Sequence, residues 1–142
     1  MSKAAIKAIQ SGQTRYTQVA GLKSLRQAVS DKFKHENGIS SAWEETIVCT
    51  GGKQVLFNAL AATLNESDEV IIPAPFWVSY PEMVEVCGGK PIPVSCGIES
   101  GFKLTPNSLE KAITNKTRWL ILNSPSNPTG AVYTKKRIRE SC

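Results

Sequence analysis

The sequence contains little from which a metal site or a disulfide framework could be built. It has a single histidine, His35, and four cysteines that show neither close pairing nor zinc-ligand spacing: Cys49, Cys87, Cys96 and Cys142. A zinc site therefore has few ligands to draw on, and we predict no bound metal. The cysteines are interpreted as reduced, mostly buried thiols.

Long apolar runs are absent as well. No run approaches the roughly 20 residues that a membrane-spanning helix needs, and residues 1–10 lack the apolar centre of a signal peptide. We therefore expect a cytoplasmic protein without membrane contact. The net charge of +5 is spread along the chain, apart from basic residues at 135–139 that are interpreted as a solvated helix face. Because aromatic and basic residues do not alternate, nucleic-acid binding is not expected.

Short apolar runs alternate with amphipathic ones along the chain. The pattern predicts helices at about 22–36, from Gly52 onward, and at 78–86 and 106–113, with strands at 46–49, 69–72, 90–94 and 118–122. Asn37-Gly38 is expected to end the first helix, and Thr105-Pro106 to begin the last. Two prolines in 90–94 predict an edge strand. The alternation indicates an α/β fold in three layers, with a mainly parallel sheet and helices on both faces.

The most unusual loop covers residues 123–130 and reads Asn-Ser-Pro-Ser-Asn-Pro-Thr-Gly. It directly follows an apolar run, so it should lie at the carboxyl edge of the sheet, where open α/β folds bind ligands. Asn123 and Asn127 supply amide donors and acceptors, and Pro125 and Pro128 fix φ and permit cis peptide bonds. We expect chemistry at this loop, with Asn123 stabilising the loop itself.

A second candidate is the turn Gly51-Gly52-Lys53-Gln54, between a predicted strand and a predicted helix. Unpaired backbone N–H groups and the helix dipole favour an anion at such a position. By itself the motif is also compatible with an ordinary tight turn that binds no phosphate. It is not a Walker loop, because the long glycine spacing and a Ser or Thr after the lysine are missing.

Four stretches together resemble the class I pyridoxal-phosphate-dependent aminotransferases, in particular the bacterial aspartate aminotransferase branch. They are, in order, Arg15-Tyr16 to Ala20-Gly21 with the following helix, Thr50 to Gln54, Pro75 to Pro81, and the Asn-Pro-Thr-Gly of 127–130. The resemblance covers about residues 10 to 135. A full-length member is more than twice as long, so residues 1–142 are expected to be the front part of the family's large, cofactor-binding domain. The remainder of that domain and the small domain are then absent.

The resemblance implies pyridoxal 5'-phosphate as cofactor and a homodimer as the complete enzyme. In the family the glycine turn holds the cofactor's phosphate, which implies this role for Gly51, Gly52 and Lys53. Trp77 resembles the tryptophan that packs on the pyridine ring, and Asn127 the asparagine that donates to the phenolic oxygen; both are also expected to contact substrate. Tyr16 resembles the tyrosine that reaches the partner subunit's phosphate.

Simpler interpretations remain open for several of these residues. Trp77 could be ordinary core packing, which is the role we assign to Trp43 and Trp119, and Tyr16 could simply pack before a helix. Lys53 is not expected to form the Schiff base, because the family's lysine lies far downstream and a lysine beside an anion keeps its charge. We expect Lys53 to be a cation lining the substrate pocket, with an ordinary surface lysine as the alternative. No catalytic residue is therefore predicted within this chain.

The implied activity is transfer of an amino group from an amino acid, with aspartate favoured, to a 2-oxo acid. Aromatic amino acids, kynurenine or prephenate are alternative substrates. A second possibility is a noncatalytic remnant that acts only as a structural or partner-binding fragment. The resemblance also predicts cis peptide bonds before Pro75 and Pro128.

Overall fold

The computed structural model describes residues 1–141, with side chains as far as residue 139. The chain forms two compact units, the first covering Met1–Gln54 and the second beginning at Val55. Within the described residues, no helix combines the length and apolar character that a membrane span requires.

The first unit consists of helices joined by extended segments. It contains α1 (Ser2–Gln10), α2 (Lys23–Lys32) with a π-helical continuation at Phe33–Asn37, a 3-10 turn at Trp43–Glu45, and the start of α3 (Gly52–Thr63). Gly38 closes the second helix in the left-handed region at φ 69°, as Asn37-Gly38 predicts. The sequence pattern did not predict α1, none of whose residues is buried.

The strand predicted at residues 46–49 is wrong. The segment is extended but pairs with no strand among residues 1–141, and two of its backbone groups are bonded elsewhere. The Thr46 carbonyl accepts from Arg26 Nε at 2.7 Å, and the Val48 N–H donates to the Ala20 carbonyl at 3.0 Å. These bonds to a side chain and to a loop satisfy two of the backbone groups that a neighbouring strand would otherwise pair.

The second unit is built on a parallel sheet. Its elements are β1 (Glu69–Ala74), α4 (Ser79–Val86), β2 (Lys90–Ser95), a 3-10 turn at Ile98–Ser100, α5 (Pro106–Ala112), β3 (Thr117–Leu120) and α6 (Lys135–Ser141). The described strands are ordered β2-β1-β3, so β2 is at an edge as its prolines predict. Glu69 lies opposite Lys90 on β2 and opposite Thr117 on β3.

Side chains of β1 alternate between two cores, one on each face of the sheet. Val70 and Ile72 pack with residues of α3 and α4 and with the residue that follows α3, namely Leu60, Leu64, Tyr80, Met83 and Val84. Ile71 points the other way and packs with Cys96, Leu104, Leu109 and Tyr133. Each fully buried aliphatic side chain contributes about 1.5–3 kcal/mol. The sheet therefore has helices on both faces, and the predicted three-layer α/β architecture is confirmed.

The predicted start of α5 is also confirmed. Thr105 Oγ1 accepts from the Ser108 N–H at 3.1 Å, Ser108 Oγ accepts from the Thr105 N–H at 3.0 Å, and Pro106 is the first helical residue. This reciprocal pair satisfies two backbone donors at the helix start.

Two predictions about buried side chains need correction. Trp119 packs on a hydrophobic core as predicted, but Trp43 is half-buried and lies against the cationic groups of Lys23 and Arg26. Among the described cysteines only Cys96 is buried, whereas Cys49 and Cys87 are half-buried. None of these three forms a disulfide; Cys142 lies outside the described residues.

Candidate functional site

The loop at 123–130 lies at the carboxyl edge of the sheet. The chain continues straight from β3, and the Ile121 N–H still donates to the Ile71 carbonyl of β1 at 3.0 Å. Residue 123 therefore leaves the sheet beside the carboxyl end of β1, where residues 74–76 also leave it. Loops after two neighbouring parallel strands meet at this edge, as the sequence pattern predicted.

The loop is held by its own polar groups. Asn123 Oδ1 accepts from the Asn127 N–H at 2.8 Å, and the Ser126 carbonyl accepts from the Gly130 N–H at 2.7 Å. The prediction that Asn123 stabilises the loop is confirmed by the first of these bonds.

Three proline peptide bonds near this edge are cis. Those before Pro75 and Pro128 are the two that we predicted. The bond before Pro125 is cis as well and was not specifically predicted.

A cleft opens between the two loops. It is small, with a cavity volume of about 20 Å³, which is room for about one water molecule. The residues that line it are mostly aromatic or apolar, with amide and hydroxyl groups among them, and include Pro75, Phe76, Tyr80, Phe102, Asn123 and Asn127. Apolar walls with a few convergent polar groups are typical of ligand sites, but a ring-bearing ligand would extend beyond a cleft of this size. Asn127 is the exposed amide among them.

Trp77, in the second unit, contacts a residue of this cleft. Its ring contacts that of Tyr80 edge to face, with centroids 5.5 Å apart and an interplanar angle of 87°. Tyr80 lines the cleft, and Trp77 itself is half-buried and packs on the core that contains Val70 and Ile72. The contact is therefore compatible both with a ring-binding role and with core packing.

Sequence reasoning missed Tyr133 and Phe102. The buried Tyr133 hydroxyl accepts from the Leu104 N–H at 2.7 Å, and the Tyr133 N–H donates to Ser124 Oγ at 3.1 Å. Tyr133 therefore ties the asparagine loop to residues 102–104. Burial raises the pKa of Tyr133, and the hydrogen bond from Leu104 partly opposes this rise.

Phe102 lines the cleft from a rare backbone conformation. Its φ is 56°, directly after Gly101 at 63°. A bulky residue with positive φ is uncommon, and no local pattern in the sequence signals it. The hydroxyl bond of Tyr133 joins it to a residue 29 positions away, so this role could not be found from neighbouring positions.

In the first unit, the glycine turn precedes the N-terminus of α3. Gly51 has φ 86°, and a Cβ added at Gly51 or Gly52 would meet no atom within 4 Å. Space beside the turn is therefore open. Gln54 Oε1 accepts from the Thr50 N–H at 2.6 Å and so closes the turn. The first N–H groups of a helix have no intrahelical partner, which makes this start suitable for a phosphate.

The remaining predicted residues are placed as follows. Lys53 is exposed on the first turn of α3, and Tyr16 is exposed at 107% in the loop between α1 and α2. Both belong to the first unit with Gly51 and Gly52, whereas Trp77 and Asn127 belong to the second. The structure brings Asn127 together with the cleft, and Trp77 with the cleft residue Tyr80.

Comparison with known proteins identifies relatives along the whole chain. The sequence profile of the family described as "Aminotransferase class I and II" matches residues 1–141. A probable aspartate/prephenate aminotransferase of Rhizobium leguminosarum bv. phaseoli is 60% identical over 139 residues, and the aspartate/prephenate aminotransferase of Cereibacter sphaeroides is 56% identical over 139 residues. Each match covers 98% of this chain and 35% of the relative.

Solved structures agree with the sequence matches. The aspartate aminotransferase of Rhizobium meliloti superposes with a TM-score of 0.95 at 48% identity, covering 99% of this chain and 35% of the other. The Thermus thermophilus aspartate aminotransferase with maleate gives 0.95 at 48% identity, covering 99% and 37%. The chain thus spans roughly a third of the length of the proteins it matches. It belongs to the class I and II aminotransferase family.

Proposed function

We propose that this sequence forms part of an enzyme that uses pyridoxal 5'-phosphate to transfer an amino group from aspartate to a 2-oxo acid. The observation that carries the proposal is Asn127 in the aromatic-walled cleft at the carboxyl end of β3. The names of the relatives from Rhizobium leguminosarum and Cereibacter sphaeroides support it.

The residues of the chain fit this cofactor. The open turn at Gly51 and Gly52 and the N-terminus of α3 suit its phosphate, because backbone N–H groups and the helix dipole favour an anion. Trp77 would support the ring by aromatic contact. Asn127 would donate a hydrogen bond to the phenolic oxygen and so favour the ionised oxygen. When bound, the cofactor acts as the electron sink that lets the α-proton of an amino acid be removed.

We assign substrate recognition to side chains at the cleft and at the start of α3. Asn127 would also bind the α-carboxylate and so orient the amino acid at the cleft. Trp77 would restrict where the amino acid lies over the cofactor's ring. We assign to Lys53 the side-chain carboxylate of a dicarboxylic substrate, because it is an exposed cation on the first turn of α3. Catalytic proton transfer has no assigned residue in this chain.

We further propose a homodimer in which Tyr16 contacts the phosphate bound by the partner subunit. Support comes from the full exposure of Tyr16, which leaves its hydroxyl available to another molecule. The proposed compartment is the cytoplasm. It is supported by the three described cysteines, none of which is in a disulfide.

The second candidate is action on prephenate or another ring-bearing substrate. The relatives' names combine aspartate with prephenate, and the cleft presents Phe76, Tyr80 and Phe102. A noncatalytic role remains the alternative to both.

A chimeric enzyme tests these proposals. The 139 matched residues of the Rhizobium leguminosarum relative would be replaced by this sequence, and amino transfer from aspartate and to prephenate would be measured. We expect both activities, and we expect Asn127→Ala to lower turnover about 10²-fold, the size of losing one donor to a developing charge. Ser126→Ala, on the same loop, is the matched control and should retain activity. A folded, cofactor-loaded chimera with neither activity would favour the noncatalytic alternative.

A further inference from the structure

The buried face of α2 is polar. Its buried residues are Arg26 and Ser30, which lie one helical turn apart. Arg26 Nε donates to the Thr46 carbonyl at 2.7 Å and Nη2 to the Glu44 carbonyl at 2.9 Å. Ser30 Oγ donates to the Ser41 carbonyl at 2.6 Å. Two side chains of one helix thus bind three carbonyls of the segment 41–46.

The Arg26 guanidinium is fixed on a third side by Trp43. Its Cζ lies 4.8 Å from the centroid of the indole ring, and Arg26 is only 8% exposed. Lys23 Nζ approaches the same ring at 4.6 Å, but Lys23 is exposed. A buried guanidinium with two carbonyl acceptors and an aromatic face forms charge-assisted bonds that are stronger than neutral ones. Arg26 therefore defines the backbone path of residues 43–46.

The same path leads directly into the glycine turn. Two residues beyond Thr46, the Val48 N–H donates to the Ala20 carbonyl at 3.0 Å. Gly21 lets the chains approach closely there, because an added Cβ would lie 2.9 Å from Val48 Cβ and its φ is 97°. The turn then closes through the bond between the Thr50 N–H and Gln54 Oε1.

We propose that Arg26 is a positioning residue for the phosphate turn. By holding the carbonyls of Glu44 and Thr46, it fixes the approach of the chain and so the orientation in which the start of α3, at Gly52, is presented to an anion. The Gly51 N–H itself donates to the Cys49 carbonyl at 3.0 Å and closes the turn. The inference rests on the proposed function, in which this turn takes a phosphate. Arg26 acts through the backbone, since its Nε and Nη2 donate to carbonyls.

The test is a titration of the 142-residue chain with inorganic phosphate, followed by the amide resonances of Thr50–Lys53. Arg26→Gln removes the charge and the two-armed donor, and Arg26→Lys keeps the charge but loses the planar fork. Lys23→Gln is the matched control, because it removes an equal charge from the same indole ring without touching the carbonyls of the segment. Resonances of β1 and α4 report whether the second unit is unaffected.

We expect Arg26→Lys and Arg26→Gln each to raise the phosphate Kd about tenfold, the effect of roughly 1.4 kcal/mol. Lys23→Gln should stay within about twofold. If Arg26 acted only by general electrostatic attraction, Arg26→Lys would leave the phosphate Kd unchanged. That result would overturn the proposal. Arg26→Lys alone decides if Arg26→Gln does not fold.

The ligand-free spectra separate this inference from the proposed function. If phosphate shifts none of the Thr50–Lys53 amides in the unmodified chain, the phosphate role of the turn is lost. Altered Thr50–Lys53 resonances in ligand-free Arg26→Lys would then still support positioning by Arg26. Unaltered resonances at these amides would refute it.

Discussion

Replacing Tyr133 by phenylalanine should destabilise the second unit through one lost hydrogen bond. The hydroxyl accepts from the Leu104 N–H at 2.7 Å, and Leu104 is 0% exposed. Phenylalanine keeps the ring in the core but leaves this backbone donor buried and unpaired. An unsatisfied buried donor costs about 1–3 kcal/mol, so we expect a loss of about 2 kcal/mol in the free energy of unfolding.

Urea unfolding of the 142-residue chain measures this loss. With a denaturant dependence of about 2 kcal/mol per molar urea, the midpoint should fall by about 1 M. Tyr80→Phe is the matched control, because Tyr80 is equally buried, at 8%, and belongs to the core on the other face of β1. We expect that variant to change the midpoint little. A shift below about 0.3 M for Tyr133→Phe, at unchanged slope, would refute the assigned role of the Leu104 bond.

The same substitution should change stability at alkaline pH. Burial raises the pKa of Tyr133 in the folded chain, so the folded state holds its proton after the unfolded state has lost it. The resulting stabilisation is fully present below the unfolded pKa of about 10 and is lost as the pH rises through the folded pKa. Above pH ~10 the free energy of unfolding of the unmodified chain should therefore decrease with pH, and it should decrease less in Tyr133→Phe.

Three further outcomes are expected. In the chimera, Lys53→Ser should weaken transfer from aspartate and spare an aromatic substrate, since it removes the proposed cation; equal losses would assign Lys53 to the cofactor. The 142-residue chain alone should show no aspartate-dependent glutamate formation with excess cofactor, because a positioned general base contributes about 10²–10⁴ in rate and none is assigned here. Cys96 should react with a thiol reagent more slowly than Cys49 and Cys87 in a Cys142→Ser background, because burial raises its pKa and leaves it 5% exposed; comparable rates would contradict this.

The alternation of apolar runs was enough to predict the sheet and its flanking helices. Residues 70–72 and 119–122 are apolar in unbroken runs, which is the signature of parallel strands covered on both faces. The run at 46–49 has the same appearance but forms no strand. Its hydrogen-bond partners are Arg26 and Ala20, at least 20 residues away, and nothing within the run encodes them.

In the candidate site, too, some residues could be predicted from local sequence signals and others depend on distant contacts. Asn123, Asn127 and the glycine turn carry local signals, in residue types that few ordinary turns combine. The contribution of Tyr133 depends on a bond across 29 residues, and that of Arg26 on bonds across 18 and 20. An arginine within an amphipathic helix is ordinarily expected at the surface, so its burial could not be anticipated from the helix pattern.

The two-sided burial of β1 makes the length of this strand as important as its composition. Ile71 serves one core while Val70 and Ile72 serve the other. Inserting or deleting a single residue ahead of Ile71 would therefore exchange the side chains presented to the two cores along the rest of the strand. Replacing valine by isoleucine changes the side-chain volume little, whereas a one-residue shift of the strand's register disturbs both cores at once. Along lineages of this protein, β1 should thus accept substitutions far more readily than insertions or deletions, which exposed surface loops can absorb.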